Sequence, residues 1–261
     1  MGSRLTQIVP LEDVVIEDPK TRTYRFRADM RPRPGQFLML WIPRADEVPM
    51  AYSYLGDPMG VTVREYGDAT RALAATSRKG YRVGVRGPYG NAFAVEGRRA
   101  LAVVGGVGIA SVIAAIEAYA EAGIAIETAF GARTKGELTL LDRAKACGPV
   151  HVATDDGSAG HHGFVTDVAA KLLADGTFDM ILTCGPEVMM KKVVDAANAG
   201  GVPVQASLER YMKCGIGICD ACAFDDELVC VDGPVFWGDR LAKSEDFGRW
   251  RRNICGQRVK A

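Results

Sequence analysis

The sequence has no excess of charge of either sign, few histidines and no long apolar run. Its 32 basic and 32 acidic residues cancel, so no overall field attracts nucleic acid or an anionic membrane surface. No apolar stretch reaches the roughly 20 residues that cross a bilayer, and residues 1–10 lack the basic start and apolar run of a signal peptide. We therefore expect a cytoplasmic protein that binds neither nucleic acid nor membrane.

Hydrophobic and charged residues occur in the amounts usual for a packed fold. They make up 48% and 25% of the chain, which argues against disorder in its bulk. At about 150 residues per domain, 261 residues predict two domains and a small appendage. No G-x-S-x-G motif occurs, and no carboxylate pair stands in a context that suggests hydrolysis.

The first 97 residues read as short strands separated by proline and glycine. The predicted strands are Thr23–Arg27, Gln36–Ile42, Val61–Glu65 and Tyr81–Arg86, with one helix at Ala69–Ser77. Many short strands at this spacing are typical of an antiparallel β-barrel or sandwich. We predict a β-domain over residues 1–97.

After residue 97, apolar strands alternate with helices. The predicted strands are Ala100–Val104, Ile124–Phe130, Val150–Thr154, Met180–Cys184 and Val202–Ser207, and the helices are Ala110–Ala122, Leu138–Ala146, Val165–Ala174 and Glu187–Ala199. Continuous apolar strands alternating with helices indicate a doubly wound α/β domain over residues 98–206. Residues 207–261 form a polar, loop-rich tail.

Four of the seven cysteines lie close together in that tail. Cys214, Cys219, Cys222 and Cys230 have the spacing C-x4-C-x2-C-x7-C, and the first three match the plant-type [2Fe–2S] pattern. Gly215 and Gly217 permit the tight backbone that would bring N–H groups close to the sulfurs. This spacing predicts a [2Fe–2S] cluster.

Two other readings of the cysteines stay open at this point. Zinc usually takes paired C-x2-C units, whereas this segment has one C-x2-C and one longer step. The four cysteines could also be buried or disulfide-linked without any metal, although a disulfide framework is not expected in a reducing compartment.

A glycine turn follows the first buried strand of the α/β domain. Gly105, Gly106 and Gly108 join this strand to a helix, where phosphate could meet helix N–H groups. The full G-x-G-x-x-G motif is missing, and Glu127 lies inside the next strand rather than at its end. A plain tight turn is the alternative. Cys184 lies at the end of the fourth strand, which faces the ligand crevice of such a sheet; a lone cysteine is more often a core thiol than a catalytic one.

Short motifs in a fixed order extend over nearly the whole chain. They include Pro34–Phe37, Pro49–Ser53, Gly67–Thr70, Gly87–Phe93, Phe130–Arg133, Thr154–Gly157, Gly163–Asp167, Cys184–Pro186, Ser207–Met212 and Cys230–Phe236. In this order, with the cysteine tail last, the chain is similar to the electron-transfer subunit of dihydroorotate dehydrogenase type B, a ferredoxin-reductase-like family.

The resemblance implies an FAD between the barrel and the α/β domain. It places Pro49, Met50, Ala51, Tyr52 and Ser53 along the flavin, and Val63, Arg64, Ala69 and Thr70 at the ribityl chain or pyrophosphate. It also implies that Gly105, Gly106 and Gly108 bind NAD, with Cys184 as the catalytic residue near the nicotinamide. Two positions depart from the family pattern: Val48 replaces an arginine and Ala51 a serine. Either more of the phosphate contact then falls to Arg64 and Thr70, or FAD binds less tightly.

The implied function is electron transfer by an NAD-linked iron–sulfur flavoprotein, an oxidoreductase of pyrimidine biosynthesis. Electrons would pass from an FMN-containing dihydroorotate dehydrogenase catalytic subunit, in a heterotetramer, through [2Fe–2S] and FAD to NAD. The alternatives are the small subunit of an NADH-dependent ferredoxin:NADP reductase, in which an Asp tends to replace Cys214, or a hydrogenase or sulfide dehydrogenase diaphorase. A non-enzymatic Fe–S redox sensor and a preference for NADP also remain open.

Overall fold

The computed structural model describes residues 5–175, 177–253 and 255–260. A closed barrel comes first, an open α/β sheet second, and a loop-rich tail last. The barrel, the α/β arrangement and the C-terminal cysteine segment confirm the predicted fold class. The N-terminal stretch considered in the sequence is described only from residue 5 onward.

The barrel consists of six antiparallel strands and one helix. These are β1 Gln7–Asp18, β2 Thr21–Phe26, β3 Phe37–Trp41, β4 Glu47–Tyr54, β5 Met59–Arg64, α1 Asp68–Thr76 and β6 Arg82–Tyr89. The strands close in the order β1-β2-β5-β4-β3-β6. Alternate side chains, such as Leu38, Leu40 and Val61, fill the interior and leave almost no exposed area.

The α/β region alternates strands and helices as predicted. Its elements are β7 Arg99–Gly105, α2 Ile109–Glu121, β8 Ala125–Ala132, α3 Leu141–Cys147, β9 Val150–Thr154, β10 His161–His162, α4 Val165–Asp175, β11 Met180–Cys184, α5 Glu187–Ala199 and β12 Val204–Ser207. The strands pair in parallel in the order β10-β9-β8-β7-β11-β12. Helices cover both faces, and apolar clusters lie on each side of the sheet.

The tail contains short elements, one of which extends the sheet. They are β13 Ala223–Phe224, β14 Glu227–Leu228, β15 Val235–Trp237, α6 Gly238–Ala242, β16 Trp250–Arg252 and β17 Arg258–Lys260. β15 pairs antiparallel with β12, with Val235 opposite Ser207. The proposed boundary at residue 207 therefore separates two segments that share a sheet.

Two barrel strands were not predicted. β1 contains Pro10 and four acidic residues, and β4 contains Pro49, so both lack the regular apolar alternation that marks a strand. Both nevertheless pair with a strand on each side within the barrel. Among the described residues, no helix combines the length and hydropathy that crossing a bilayer requires.

Three parts of the molecule meet around β3. Phe37 and Met39 belong to the same apolar cluster as Cys222, Cys230 and Phe224 of the tail. β4, the next strand, packs against helix α2 of the α/β region. The β3–β4 side of the barrel thus contacts both the cysteine segment and the nucleotide-type sheet.

Candidate electron-transfer site

The four tail cysteines form two interacting pairs. The Cys219 thiol interacts with Cys214, and the Cys230 thiol interacts with Cys222. Cys222 and Cys230 are buried, while Cys219 is exposed. Within the described ranges, no three His, Cys, Asp or Glu side chains converge closely enough to hold one metal ion. Two pairs suit two irons that each take two thiolates, rather than one tetrahedral ion.

Backbone N–H groups point at the sulfurs. Ile216 and Ile218 donate to Sγ of Cys214 at 3.5 and 3.3 Å. Burial opposes ionisation of this thiol, but these bonds, together with those from the backbone and thiol of Cys219, outweigh it and lower the pKa of Cys214 to about 6. The segment therefore favours a thiolate at Cys214, the form that binds metal.

The second pair is arranged in a similar way. The thiol of Cys230 donates to Cys222 and lowers the pKa of Cys222 to about 7, and the backbone N–H of Cys230 donates to Cys222 Sγ at 3.4 Å. The same shared proton raises the pKa of Cys230. The two cysteine pairs, and the backbone N–H groups that donate to Cys214 and Cys222, thus fit an iron–sulfur group.

The loop between Cys214 and Cys219 depends on glycine. Gly215 has φ of 68°, a left-handed conformation that side chains disfavour. A Cβ on Gly215 would lie 2.9 Å from Cγ of Met39 on β3, a distance that real Cβ atoms do not reach. The loop can therefore lie directly on the barrel.

The residues expected along the flavin lie on β4, but not all side chains face outward. Pro49, Met50 and Ala51 are half-buried. Tyr52 and Ser53 are buried in the barrel, where the Tyr52 hydroxyl donates to Sδ of Met30 at 3.1 Å. The Ser53 hydroxyl lies 2.8 Å from that of Thr62. Tyr52 and Ser53 can thus offer a ligand only their backbone, and the same holds for buried Val63 on β5.

Arg64 ends β5 and reaches across to the α/β region. Its Nη2 donates to Oε1 of Glu137 at 2.6 Å, and its Nη1 lies 4.0 Å from Oδ2 of Asp18. Burial works against the charge of Asp18, yet hydrogen bonds from Thr21, Lys20 and Thr139, with the charge of Arg64, hold its pKa below the ordinary value. Sequence reasoning missed Glu137, whose partner lies 73 residues away.

Helix α1 follows Arg64 and begins at Asp68, two residues before Thr70. The Thr70 hydroxyl accepts the backbone N–H groups of Tyr66 and Gly67 at 2.8 and 3.1 Å. It also donates to the Gly67 carbonyl at 3.0 Å. Thr70 therefore shapes the turn with its side chain. The first N–H groups of α1, which include that of Ala69, are those that a helix leaves without an internal partner.

The glycine turn packs closely against the end of β11. A Cβ on Gly108 would lie 2.6 Å from the carbonyl oxygen of Cys184, and one on Gly105 would lie 2.8 Å from Sδ of Met189. Gly106 has φ of 55° and open space around it. The turn leads through residues 106–108 into α2. Gly105 and Gly108 thus allow the turn to pack closely against the end of β11 and the start of α5, whereas Gly106 faces open space.

Cys184 is fully buried beside this turn. Burial raises the pKa of Cys184 to about 12, so the thiol stays protonated at neutral pH. It pairs in the sheet with Val104, the residue before Gly105. The structure therefore brings the predicted catalytic cysteine and the predicted phosphate turn together, about 80 residues apart in sequence.

Comparisons with known proteins match this architecture. The model of the iron–sulfur cluster binding domain of dihydroorotate dehydrogenase B matches residues 209–242. The probable electron transfer subunit of dihydroorotate dehydrogenase B (NAD(+)) from Methanocaldococcus jannaschii is 45% identical over 254 residues, 97% of each chain. The protein of the same description from Methanothermobacter thermautotrophicus is 40% identical over 97% of each chain.

A solved structure is similar over almost the same length. It comes from the NADH-dependent reduced ferredoxin–NADP oxidoreductase, studied for flavin-based electron bifurcation. The identity is 31%, the TM-score is 0.81, and the match covers 92% of this chain and 93% of that chain. The sequence relatives and this structure are therefore similar to this chain over nearly its whole length.

Proposed function

The chain belongs to the family of dihydroorotate dehydrogenase B electron-transfer subunits, and on this basis we propose that it carries electrons from a dihydroorotate-oxidising partner to NAD. The relatives are described as NAD(+)-linked electron transfer subunits. A subunit so described implies a separate catalytic subunit. We propose that this partner contains FMN and that the complex is a heterotetramer.

In this proposal, Cys214, Cys219, Cys222 and Cys230 hold one [2Fe–2S] cluster. Cys214 and Cys219 take one iron, and Cys222 and Cys230 take the other. The N–H groups of Ile216 and Ile218 donate to Cys214 and stabilise its negative charge. The exposed position of Cys219 leaves this side of the loop open to an electron donor.

Bound FAD supplies exchange between hydride, which carries two electrons, and a one-electron centre. For its isoalloxazine we propose Pro49, Met50 and Ala51, with backbone groups of Tyr52 and Ser53. For its phosphates we propose the first N–H groups of α1 at Ala69 and Thr70, together with Arg64. Arg64 is already held toward the α/β region by its bond to Glu137.

For NAD we propose the turn at Gly105, Gly106 and Gly108. Gly106 leaves space for a phosphate before α2, whose N-terminus favours negative charge. Cys184 lines the site next to this turn as an uncharged thiol, because burial raises its pKa. We propose that it shapes the nicotinamide position and excludes water there.

The observation that carries the proposal is the paired arrangement of the four cysteines against the β3–β4 side of the barrel. β4 of this strand pair contacts α2, the helix that follows the glycine turn. The proposed cluster position therefore adjoins β3, and the proposed flavin residues lie on its neighbour β4, which also contacts the helix that follows the proposed nucleotide turn.

The test combines the purified chain with a type B catalytic subunit. The chain alone should oxidise NADH with an artificial acceptor and should not oxidise dihydroorotate. The mixture should reduce NAD with dihydroorotate. Dihydroorotate oxidation by the isolated chain would contradict the proposal, as would failure to associate with the catalytic subunit while ferredoxin is reduced.

A further inference from the structure

Arg86 lies where the barrel meets the cysteine segment. From β6, its Nη1 donates to the carbonyl oxygen of Cys214 at 2.7 Å. Its Nε and Nη2 donate to the two carboxylate oxygens of Glu47, each at 2.6 Å. The Arg86 side chain is only 13% exposed. Both contacts are therefore charge-assisted and largely withdrawn from water, which makes them strong and directional.

Neighbouring groups complete this contact. The Tyr89 hydroxyl lies 3.3 Å from Nη1 of Arg86, and the guanidinium carbon lies 5.5 Å from the centroid of the Tyr89 ring. A longer contact of 3.5 Å joins Nη2 to the Lys213 carbonyl. Hydrogen bonding to Glu47 raises the pKa of Arg86 further, so the group stays charged at every pH the protein experiences.

One guanidinium thus joins two parts of the proposed electron path. Glu47 is the first residue of β4, the strand that leads into Pro49, Met50 and Ala51. Cys214 is the first of the four cysteines, 128 residues after Arg86. Arg86 and Glu47 both belong to the barrel, so the barrel contributes an ion pair to the cysteine segment of the tail.

We propose that Arg86 and Glu47 position the Cys214 loop and set the reduction potential of the cluster held there. The inference rests on the proposed function, because it requires a cluster at these cysteines. Arg86 touches a backbone carbonyl rather than a reacting atom, so it is a positioning residue.

Charge predicts the sign of the effect. A cluster that accepts an electron gains negative charge, which a nearby cation stabilises and a nearby anion opposes. In the native pair, the two charges largely cancel. Loss of the Arg86 charge leaves Glu47 uncompensated and should lower the potential. Loss of the Glu47 charge leaves Arg86 uncompensated and should raise it.

The experiment measures three variants of the full chain loaded with FAD and iron–sulfur. Arg86→Gln removes the positive charge, Glu47→Gln removes the negative charge, and Arg86→Lys keeps the charge with a different shape. Iron, acid-labile sulfide and FAD are counted, and the midpoint potential is measured by titration followed by electron paramagnetic resonance.

The matched controls lie at the far end of β4. Arg27 and Asp57 form an exposed pair there, with 2.9 Å between Nε and Oδ1. Arg27→Gln and Asp57→Asn change the charge of the chain by the same amounts. They should leave the cluster potential at the wild-type value, because exposed charges at that distance are screened.

Opposite shifts of the potential in Arg86→Gln and Glu47→Gln, with Arg86→Lys near wild type, would support the proposal. Loss of the cluster from Arg86→Gln alone, with FAD retained and Arg86→Lys still loaded, would support the positioning role. Shifts in the same direction, or no change in potential and cluster content, would overturn it. A wild-type chain that binds FAD but neither iron nor sulfide would overturn the proposed cluster function as well.

Discussion

An arginine that binds both carboxylate oxygens of a glutamate contacts each end of β4, but the two arginines belong to different parts of the molecule. At the start of β4, Arg86 and Glu47 are both barrel residues, and Arg86 also donates to the carbonyl of Cys214 in the tail. At its end, Arg143 binds both carboxylate oxygens of Glu117 at 2.8 and 2.7 Å. Both of these residues lie in the α/β region, and Nη2 of Arg143 donates to the carbonyl of Ser53 at 2.9 Å.

The two arginine contacts therefore connect different pairs of regions. At the start of β4, Arg86 of the barrel binds the tail, a contact called here the cluster joint. At its end, Arg143 of the α/β region binds the barrel, a contact called here the α/β joint. The Arg143 guanidinium also lies 3.7 Å from the centroid of the Tyr54 ring, and that of Arg25 lies 3.9 Å from it. The Arg143 guanidinium is therefore closer to its aromatic ring than that of Arg86, which lies 5.5 Å from the Tyr89 centroid. Because the two contacts share no residue, the loss of one should leave the other intact.

The largest effect should come from removing one of the proposed cluster ligands. Cys219→Ser removes one of four thiolates, so iron and sulfide should fall to a small fraction of about two each per chain. NAD-linked dihydroorotate oxidation with the partner should be abolished, while much of the NADH–acceptor activity and the FAD content persist. Metal analysis and both assays on one preparation would measure this.

The matched control for that variant is Cys255→Ser. Cys255 is exposed and lies outside the four-cysteine spacing. It should keep full iron content and coupled activity. Equal losses in both variants would contradict the assignment of the cluster ligands.

Removing Arg64 tests the side of β5 that faces the α/β region. Arg64→Ala deletes a charge-assisted contact worth about 1.5–3 kcal/mol, so the dissociation constant of FAD should rise by about 10- to 150-fold. Fluorescence titration of the flavin-free chain would measure it, and cluster content should not change.

Glu137→Gln decides what Arg64 does. This variant removes the ion pair but keeps the cation, so FAD binding should stay equal or become tighter if Arg64 contacts phosphate. Weaker binding in Glu137→Gln, to the extent seen in Arg64→Ala, would mean that Arg64 acts only through the pair.

A smaller effect is expected at the α/β joint. Arg143→Met removes the bonds to Glu117 and Ser53, and because the pair is partly exposed we expect a loss of about 1–2 kcal/mol in the free energy of unfolding. Urea unfolding of the loaded chain would measure it. FAD retention should fall and cluster content should hold, the reverse of the Cys219→Ser pattern. Arg98→Met, at an exposed 3.8 Å pair, should change neither quantity.

The last effect is confined to alkaline pH and concerns the buried thiol of Cys184. The Cys184 thiol has an ordinary pKa of 9.0, raised to about 12 in the fold by burial. The folded chain therefore holds this proton more tightly, so the contribution to stability is complete below pH 9 and is lost as pH rises toward 12. Cys184→Ala should lose less stability than wild type across that window, as measured by urea unfolding at each pH. An equal loss in both would contradict the burial of an ionisable thiol.

How much of this was accessible from sequence depends on the distance between the partners. The cysteine spacing and the glycine turn are local patterns, and the parallel strands could be predicted because each is a continuous apolar run. The direction of the Tyr52 side chain depends on the register of β4 against β5, which no local pattern encodes. The contacts of Arg86 with Cys214 and of Arg143 with Ser53 connect residues 128 and 90 apart, and the local sequence around these arginines gives no signal of such partners.

The pairing of β15 with β12 has a consequence for how a cluster is assembled. Ser207 and Val235 lie opposite each other, so the segment that contains all four cysteines is a loop whose two ends are joined by the sheet. The entropy of closing that loop is lost when the sheet folds and not when metal arrives. A cluster donor therefore meets a loop that is already closed, and iron has only to order its interior. Maturation of this protein should thus follow folding, with the apo chain as a stable acceptor.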